Sequence, residues 1–112
     1  MKRPHLNRKL ILEHAVRIPD GSGGYNLGWE ILGTLWAQFA AYRGRERAGN
    51  AGPVSVGGFS ITVRSAPVGS TARPVAGQRF RDGARTFAIR AVSEADGEGL
   101  YLTCRADEET AI

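Results

Sequence analysis

The sequence predicts a small all-β domain, a six-stranded barrel or sandwich with long loops and room for one short helix. Apolar and polar residues alternate in several short stretches, a pattern typical of half-buried strands. The chain contains 15 glycines, and Asp-Gly pairs mark tight turns between the stretches. At 112 residues and 12.0 kDa, residues 1–112 are expected to form a single domain.

The first predicted strand and the turn after it begin a β-hairpin. If residues 9–18 form a strand, alternate side chains point to opposite faces, which places Leu10, Leu12 and Val16 on one face. The turn that follows is rich in glycine, which permits the positive φ angles of a sharp reversal. Its motif consists of Asp20, Gly21, Gly23 and Gly24. The first strand is therefore expected to fold antiparallel onto the residues after the turn.

The stretch after the turn predicts a second strand that carries both tryptophans, Trp29 and Trp36. Apolar residues alternate with polar ones before Gly33, which indicates a β-bulge, and residues that favour strands follow it. A helix is the competing interpretation, because some apolar residues recur at intervals of four. These are Ile31, Leu35 and Phe39. The preceding turn favours the strand.

Residues 43–58 predict a long loop with at most one helical turn, because they are polar, glycine-rich and without strand alternation. Residues 59–64 then give the clearest strand pattern of the chain. The pairs Asp82-Gly83 and Asp96-Gly97 predict two further hairpins, so the last three strands form a meander. The predicted core anchors are Trp29, Trp36, Ile61, Val63, Phe87 and Ile89. Residues 106–112 are expected to be an acidic tail that frays in solution.

Charge and hydropathy limit which classes of function the chain can have. The net charge of +4 and the pI near 9.8 are compatible with nucleic-acid binding, but the arginines are spread along the chain, which favours a solvated face. The longest apolar-rich stretch, residues 31–42, is too short and too interrupted to span a bilayer. No secretory signal is recognised at the N-terminus. We therefore expect a cytoplasmic protein with no membrane partner.

The search for catalytic chemistry predicts a protein that is not an enzyme. His5 and His14 are the only histidines, and neither has the spacing of a metal site or a catalytic pair. Cys104 is the single cysteine, so it forms no internal disulfide and is interpreted as a small buried hydrophobe. We expect no cofactor, no metal and no small-molecule substrate.

The aromatic residues admit two interpretations. They could anchor the core of a small barrel, since large aromatic side chains contribute most to such cores. They could also form a stacking platform for single-stranded nucleic acid, as on an OB-fold. The residues concerned are Trp29, Trp36, Phe39 and Tyr42.

The order of several short motifs resembles the head–tail adaptor, or head-completion and stopper, proteins of tailed bacteriophages and gene transfer agents. Each motif is short, but their order is specific and extends over residues 6–105. The matching segments are Arg17-Ile18, Asp20 to Gly24, Trp29, Trp36-Ala37, Gly44-Arg45-Glu46, Ile61 to Arg64, Arg73-Pro74, Thr86 to Val92 and Leu102-Thr103-Cys104. The turn region from Arg81 to Arg85 departs from the pattern, because it is longer than is usual in the family.

The resemblance implies a structural ring made in the bacterial cytoplasm and placed at the head–tail interface of a particle. Its implied partners are further copies of itself, a portal or adaptor ring above, tail-terminator or tail components below, and double-stranded DNA passing through the channel. The loop after the second strand is expected to line the channel or meet the next subunit, through Arg43, Arg45, Glu46 and Arg47. The alternative is a stand-alone basic, OB-like barrel that binds single-stranded nucleic acid.

Overall fold

The computed structural model describes residues 3–41 and 58–109 as six antiparallel strands in one sheet that closes on itself. The strands are β1 (Arg8–Pro19), β2 (Tyr25–Ala41), β3 (Gly58–Arg64), β4 (Arg79–Asp82), β5 (Arg85–Glu94) and β6 (Tyr101–Glu109). Their spatial order is β1-β2-β3-β6-β5-β4, with β4 returning to β1. The predicted all-β class is confirmed. The segment expected to hold a helical turn lies largely outside the described residues.

The first two strands form one long hairpin, in which β1 and β2 pair from Arg8–Ala37 to Pro19–Tyr25. Leu12 is opposite Gly33 and Glu13 is opposite Ile31, so Leu32 is the extra residue of a bulge. The predicted bulge at Gly33 is therefore displaced by one residue. The helical interpretation of this stretch is wrong, since β2 is a continuous strand.

The last three strands form a meander. Asp82 is opposite Arg85, so a two-residue turn joins β4 to β5, with Gly83 at φ +64°. The turn containing Asp96 joins β5 to β6, which continues through Glu109. The predicted fraying of the acidic tail is wrong for residues 106–109, because they pair with β5 and form ion pairs with it. Residues 110–112 lie outside the described part of the chain.

The core fills the inside of the closed sheet. Its fully or almost fully buried side chains include Leu10, Leu12, Ile61, Val63, Phe80, Phe87, Ile89, Leu102 and Cys104. At one end, the rings of Phe39, Phe59 and Phe87 meet edge to face, with centroid distances of 5.1 to 5.5 Å. Aromatic pairs prefer this arrangement, and it adds to the stabilisation from buried area.

Both tryptophans lie outside the core, so their assignment as core anchors is wrong. Ala37 is fully buried, and strand alternation then turns its neighbour Trp36 outward, where it is opposite Lys9. Trp29 is half-buried on the same outer face, beneath the guanidinium of Arg79. The other four predicted anchors, Ile61, Val63, Phe87 and Ile89, lie in the core.

Strand directions separate two ends of the barrel. Strands β1, β3 and β5 run toward one end, which carries the β1–β2 turn, the loop after β3 and the β5–β6 turn. At the other end lie the start of β1, the end of β2, the β4–β5 turn and the end of β6. The end with the β1–β2 turn holds the surface that projects from the described part of the barrel.

Candidate interaction surface

The β1–β2 hairpin extends past the barrel. Strand β4 pairs with β1 only at residues 11–13, and β3 pairs with β2 only at residues 37–41. Residues 14–19 and 25–30 therefore pair only with each other within the described chain, and we call them, with their turn, the hairpin arm. No other described strand pairs with the outer backbone edges of this segment, and strand edges of this kind are sites at which another chain can pair.

The tip of the hairpin arm is built by the predicted turn motif. Oδ1 of Asp20 accepts hydrogen bonds from the backbone N–H groups of Ser22 at 2.8 Å and Gly24 at 3.1 Å. Gly21 and Gly23 adopt φ angles of +84° and +88°, which favour glycine. The hydrogen bonds from Ser22 and Gly24 lower the pKa of the Asp20 carboxyl below its ordinary value. This geometry fixes the reversal of the chain at the tip of the arm.

Asp20→Ala should loosen the tip of the arm without unfolding the barrel. The side chain supplies the acceptor for two turn amides, whereas the core lies well beyond the tip. We expect the amide hydrogens of Ser22 and Gly24 to exchange faster by NMR, with an unchanged thermal midpoint. A drop in the thermal midpoint would show that the turn holds the barrel together. Asp96→Ala is the matched control, because Asp96 accepts a hydrogen bond from the backbone N–H of Leu100 in a different turn.

A row of apolar side chains follows the outer face of β2. Tyr25, Leu27, Ile31 and Trp36 are 59%, 68%, 58% and 54% exposed, and we call them the apolar stripe. Strand alternation, corrected for the bulge at Leu32, places all four on one face. Contiguous exposed apolar side chains of this size mark interaction sites more often than scattered ones do.

Cations border the apolar stripe. Lys9 is opposite Trp36 in the sheet, and Cζ of Arg17 lies 5.1 Å from the ring centroid of Tyr25. Cζ of Arg79 lies 4.1 Å from the ring centroid of Trp29. The two arginine contacts fit cation–π geometry. We call Lys9, Arg17 and Arg79, together with Arg81, which shares the carboxylate of Glu13 with Arg79, the cationic border.

A buried carboxylate holds two of these arginines in place. Glu13 accepts hydrogen bonds from Nε of Arg79 and Nε of Arg81, both at 2.8 Å, and its side chain is 6% exposed. Burial alone would raise the pKa of Glu13, but the hydrogen bonds and charges of the two arginines lower it below its ordinary value. Glu13 therefore remains ionised at neutral pH and joins β1 to β4.

The structure separates several of the sequence-predicted site residues. Arg43, Arg45, Glu46 and Arg47 lie outside the described residues, so their placement stays a prediction. The aromatic platform is not assembled from its described members, because Phe39 packs against the core while the two tryptophans face outward. The sequence analysis missed Glu13, Arg79 and Arg81. The alternation of arginines around Phe80 was the signal for a charged outer face on β4.

The described residues give no assembled metal centre. Residues 3–41 and 58–109 hold no group of three or more side chains able to bind a metal ion. Burial raises the pKa of the Cys104 thiol to about 12, so this cysteine is protonated at neutral pH. No helix in this part of the chain is long and apolar enough to cross a membrane.

Comparison with known proteins gives consistent results. A family model described as phage head completion protein matches residues 1–109. A chain in the structure of the virion of a native gene transfer agent particle is 50% identical, with coverage of 97% of this chain and 100% of that one and a TM-score of 0.75.

A second solved structure, protein SF1141 from Shigella flexneri 2a, has a TM-score of 0.71 and covers both chains completely. At 19% identity it supports the fold alone. Comparison with curated protein sequences gave no match.

Proposed function

The chain belongs to the phage head completion protein family, and from this premise we propose that it forms a ring between the portal of a DNA-filled capsid and the tail. In this position it connects the two structures, closes or lines the channel through which DNA leaves, and catalyses no reaction. It is a structural component of a phage or gene transfer agent particle. The observation that carries the proposal is the 50% identity with a chain of the gene transfer agent virion over almost the full length.

The described surface supports an assembling role. A small rigid barrel carries a projecting arm with open edges and exposed apolar side chains, which a monomer in solution leaves in contact with water. A ring in which each copy contacts the next buries such surfaces in pairs. The hairpin arm is therefore the described part of the chain best suited to contact a neighbour.

The proposed partners follow from the position in the particle. They are further copies of the chain, a portal or adaptor ring on the capsid side, tail-terminator or other tail components on the far side, and the double-stranded DNA inside the channel. The basic segment with Arg43, Arg45, Glu46 and Arg47 would face the DNA phosphates or the next subunit. This assignment rests on the sequence.

Particles assembled without this chain test the proposal. We expect electron microscopy to show capsids that have packaged DNA but lack tails or have lost their DNA, because the connection below the portal is missing. Supplying the chain in trans should restore tailed particles, which controls for effects on neighbouring genes. Normal tailed particles in its absence would contradict the proposal. Strong, salt-dependent binding of single-stranded DNA by the isolated monomer would instead support the OB-like alternative.

A further inference from the structure

A second exposed patch lies on the β5–β6 turn. Glu94, Asp96 and Glu98 give this segment a negative charge, and Leu100 is 51% exposed beside them. The backbone N–H of Leu100 donates to Oδ1 of Asp96 at 3.1 Å, which fixes the turn. We call residues 94–100 the acidic turn.

A shallow groove adjoins the acidic turn. It has a volume of about 400 Å³ and lies between residues 64–67 and residues 99–100. The backbone N–H of Ser65 donates to the carbonyl of Leu100 at 2.9 Å, so the two walls are held together. Pro67 and Leu100 supply apolar lining, and the guanidinium of Arg64 lies over the ring of Tyr101. The groove can accept an apolar side chain. A carboxylate oxygen of Glu94 lies close to Gly99 on one wall, and Arg64 lines the other wall.

The fold places this patch opposite the hairpin arm. In the closed order β1-β2-β3-β6-β5-β4, the pair β1–β2 is separated from the pair β6–β5 by one strand on each side. Strands β1 and β5 run in the same direction, so the arm tip and the acidic turn lie at the same end of the barrel. One chain therefore carries the arm tip and the acidic turn at the same end of the barrel, on strand pairs that are not adjacent.

The two patches are complementary in charge and hydropathy. The apolar stripe is bordered by Lys9, Arg17 and the arginines of β4, whereas the acidic turn combines carboxylates with Leu100. A closed ring of identical subunits needs this kind of heterologous contact, in which one patch meets a different patch on the next copy. Complementary charge also fixes the register of such a contact.

We propose that the apolar stripe and cationic border of one copy dock on the acidic turn and groove of a second copy of this chain. This inference rests on the proposed ring and specifies its subunit contact. The four side chains of the stripe expose on the order of 400 Å² of apolar area, whereas a standard interface buries about 800 Å² on each partner. The cationic border has to supply the remainder of the buried area. A contact in which apolar area supplies only about half of the interface suits a ring that forms on a particle.

Site-specific photo-crosslinking in assembled particles tests the contact. We would place benzoylphenylalanine at position 27, in the middle of the stripe, and irradiate purified particles. The expected product is a dimer of the 12.0 kDa chain, in which position 27 is joined to the tryptic peptide of residues 91–105, which includes the whole acidic turn. The same probe at Ala84, in the β4–β5 turn at the opposite end of the barrel, is the control and should not label that peptide.

The outcomes separate this inference from the proposed function. Attachment of position 27 to residues 64–67, the other wall of the groove, would also agree with the inference. Attachment to another protein, to any other segment of this chain, or to nothing would overturn it. An electron microscopy map of the same particles decides independently whether the chain forms a ring. A ring with a different contact leaves the proposed function intact, and the absence of a ring refutes the proposed function.

Leu27→Asp gives a second readout. The side chain is 68% exposed, so the isolated variant should keep its circular dichroism spectrum. The yield of tailed particles should fall at least about tenfold, because loss of one central contact weakens a binding constant by about that factor. Ser60→Asp is the matched control and should leave the yield unchanged. An unchanged yield for Leu27→Asp would also overturn the inference.

Discussion

Phe87→Ala is expected to lower the free energy of unfolding of the isolated chain by about 3–5 kcal/mol. Phe87 is fully buried, and its ring meets Phe39 at 5.1 Å and Phe59 at 5.5 Å between centroids. Removal of the ring would leave a cavity, and the strands β4 and β6 that flank β5 cannot move in to fill it because they are held in the sheet. The substitution would also remove two edge-to-face contacts. Urea unfolding followed by circular dichroism measures the loss. A loss of this size is a large part of the stability of a small domain.

Trp36→Ala is the matched control for a large aromatic residue outside the core. Because Trp36 is more than half exposed, its replacement should cost less than about 1 kcal/mol. Similar losses for the two variants would contradict the placement of Phe87 inside and Trp36 outside. The comparison therefore checks the face assignment of β2 as well as the core.

Glu13→Gln is expected to destabilise the isolated chain by about 2–3 kcal/mol. The neutral amide removes the carboxylate partner of Arg81 and leaves Arg79 only its longer contact with Glu109, at 3.7 Å, on a partly buried surface. The loss falls below that of a fully buried pair, because the side chains of Arg79 and Arg81 remain 20% and 31% exposed. Asp107→Asn removes the exposed partner of Arg90, with side chains 49% and 63% exposed, and should cost less than about 1 kcal/mol.

The effect of Glu13→Gln should depend on pH. The pKa of Glu13 is lowered by folding, so its contribution is fully present above the pKa of the unfolded chain and is lost as the pH falls through the folded pKa. The difference in unfolding free energy between wild type and variant should therefore shrink on acidification. A difference that stays constant down to low pH would show that packing, not charge, accounts for the effect.

The strands could be predicted because local patterns determine them. Phe59, Ile61 and Val63 alternate cleanly with polar residues, and Asp-Gly pairs end the strands at the turns. The hairpin of β1 and β2 was also predictable, since the glycines of its turn must adopt positive φ. These signals extend over a few residues each, so a single sequence contains them.

The faces of β2 could not be predicted from the same signals. Leu27, Trp29 and Ile31 alternate with polar residues, and that pattern identifies an apolar face without showing what covers it. In the structure the arm extends past the barrel, so this face lies outside the core. Glu13 was missed for a related reason. A charged residue within a strand indicates a solvated face unless its partners, 66 and 68 residues away, are known.

The short seam between β1 and β4 sets the order in which the chain can fold. Only residues 11–13 of β1 pair with residues 79–81 of β4, yet this pairing turns an open sheet into a closed one. Joining segments more than 60 residues apart costs loop entropy before any contact compensates for it. Loop entropy therefore favours pairing of the hairpin and of the meander before pairing at the seam. The ion pairs of Glu13 with Arg79 and Arg81 lie across this seam, so they oppose its opening.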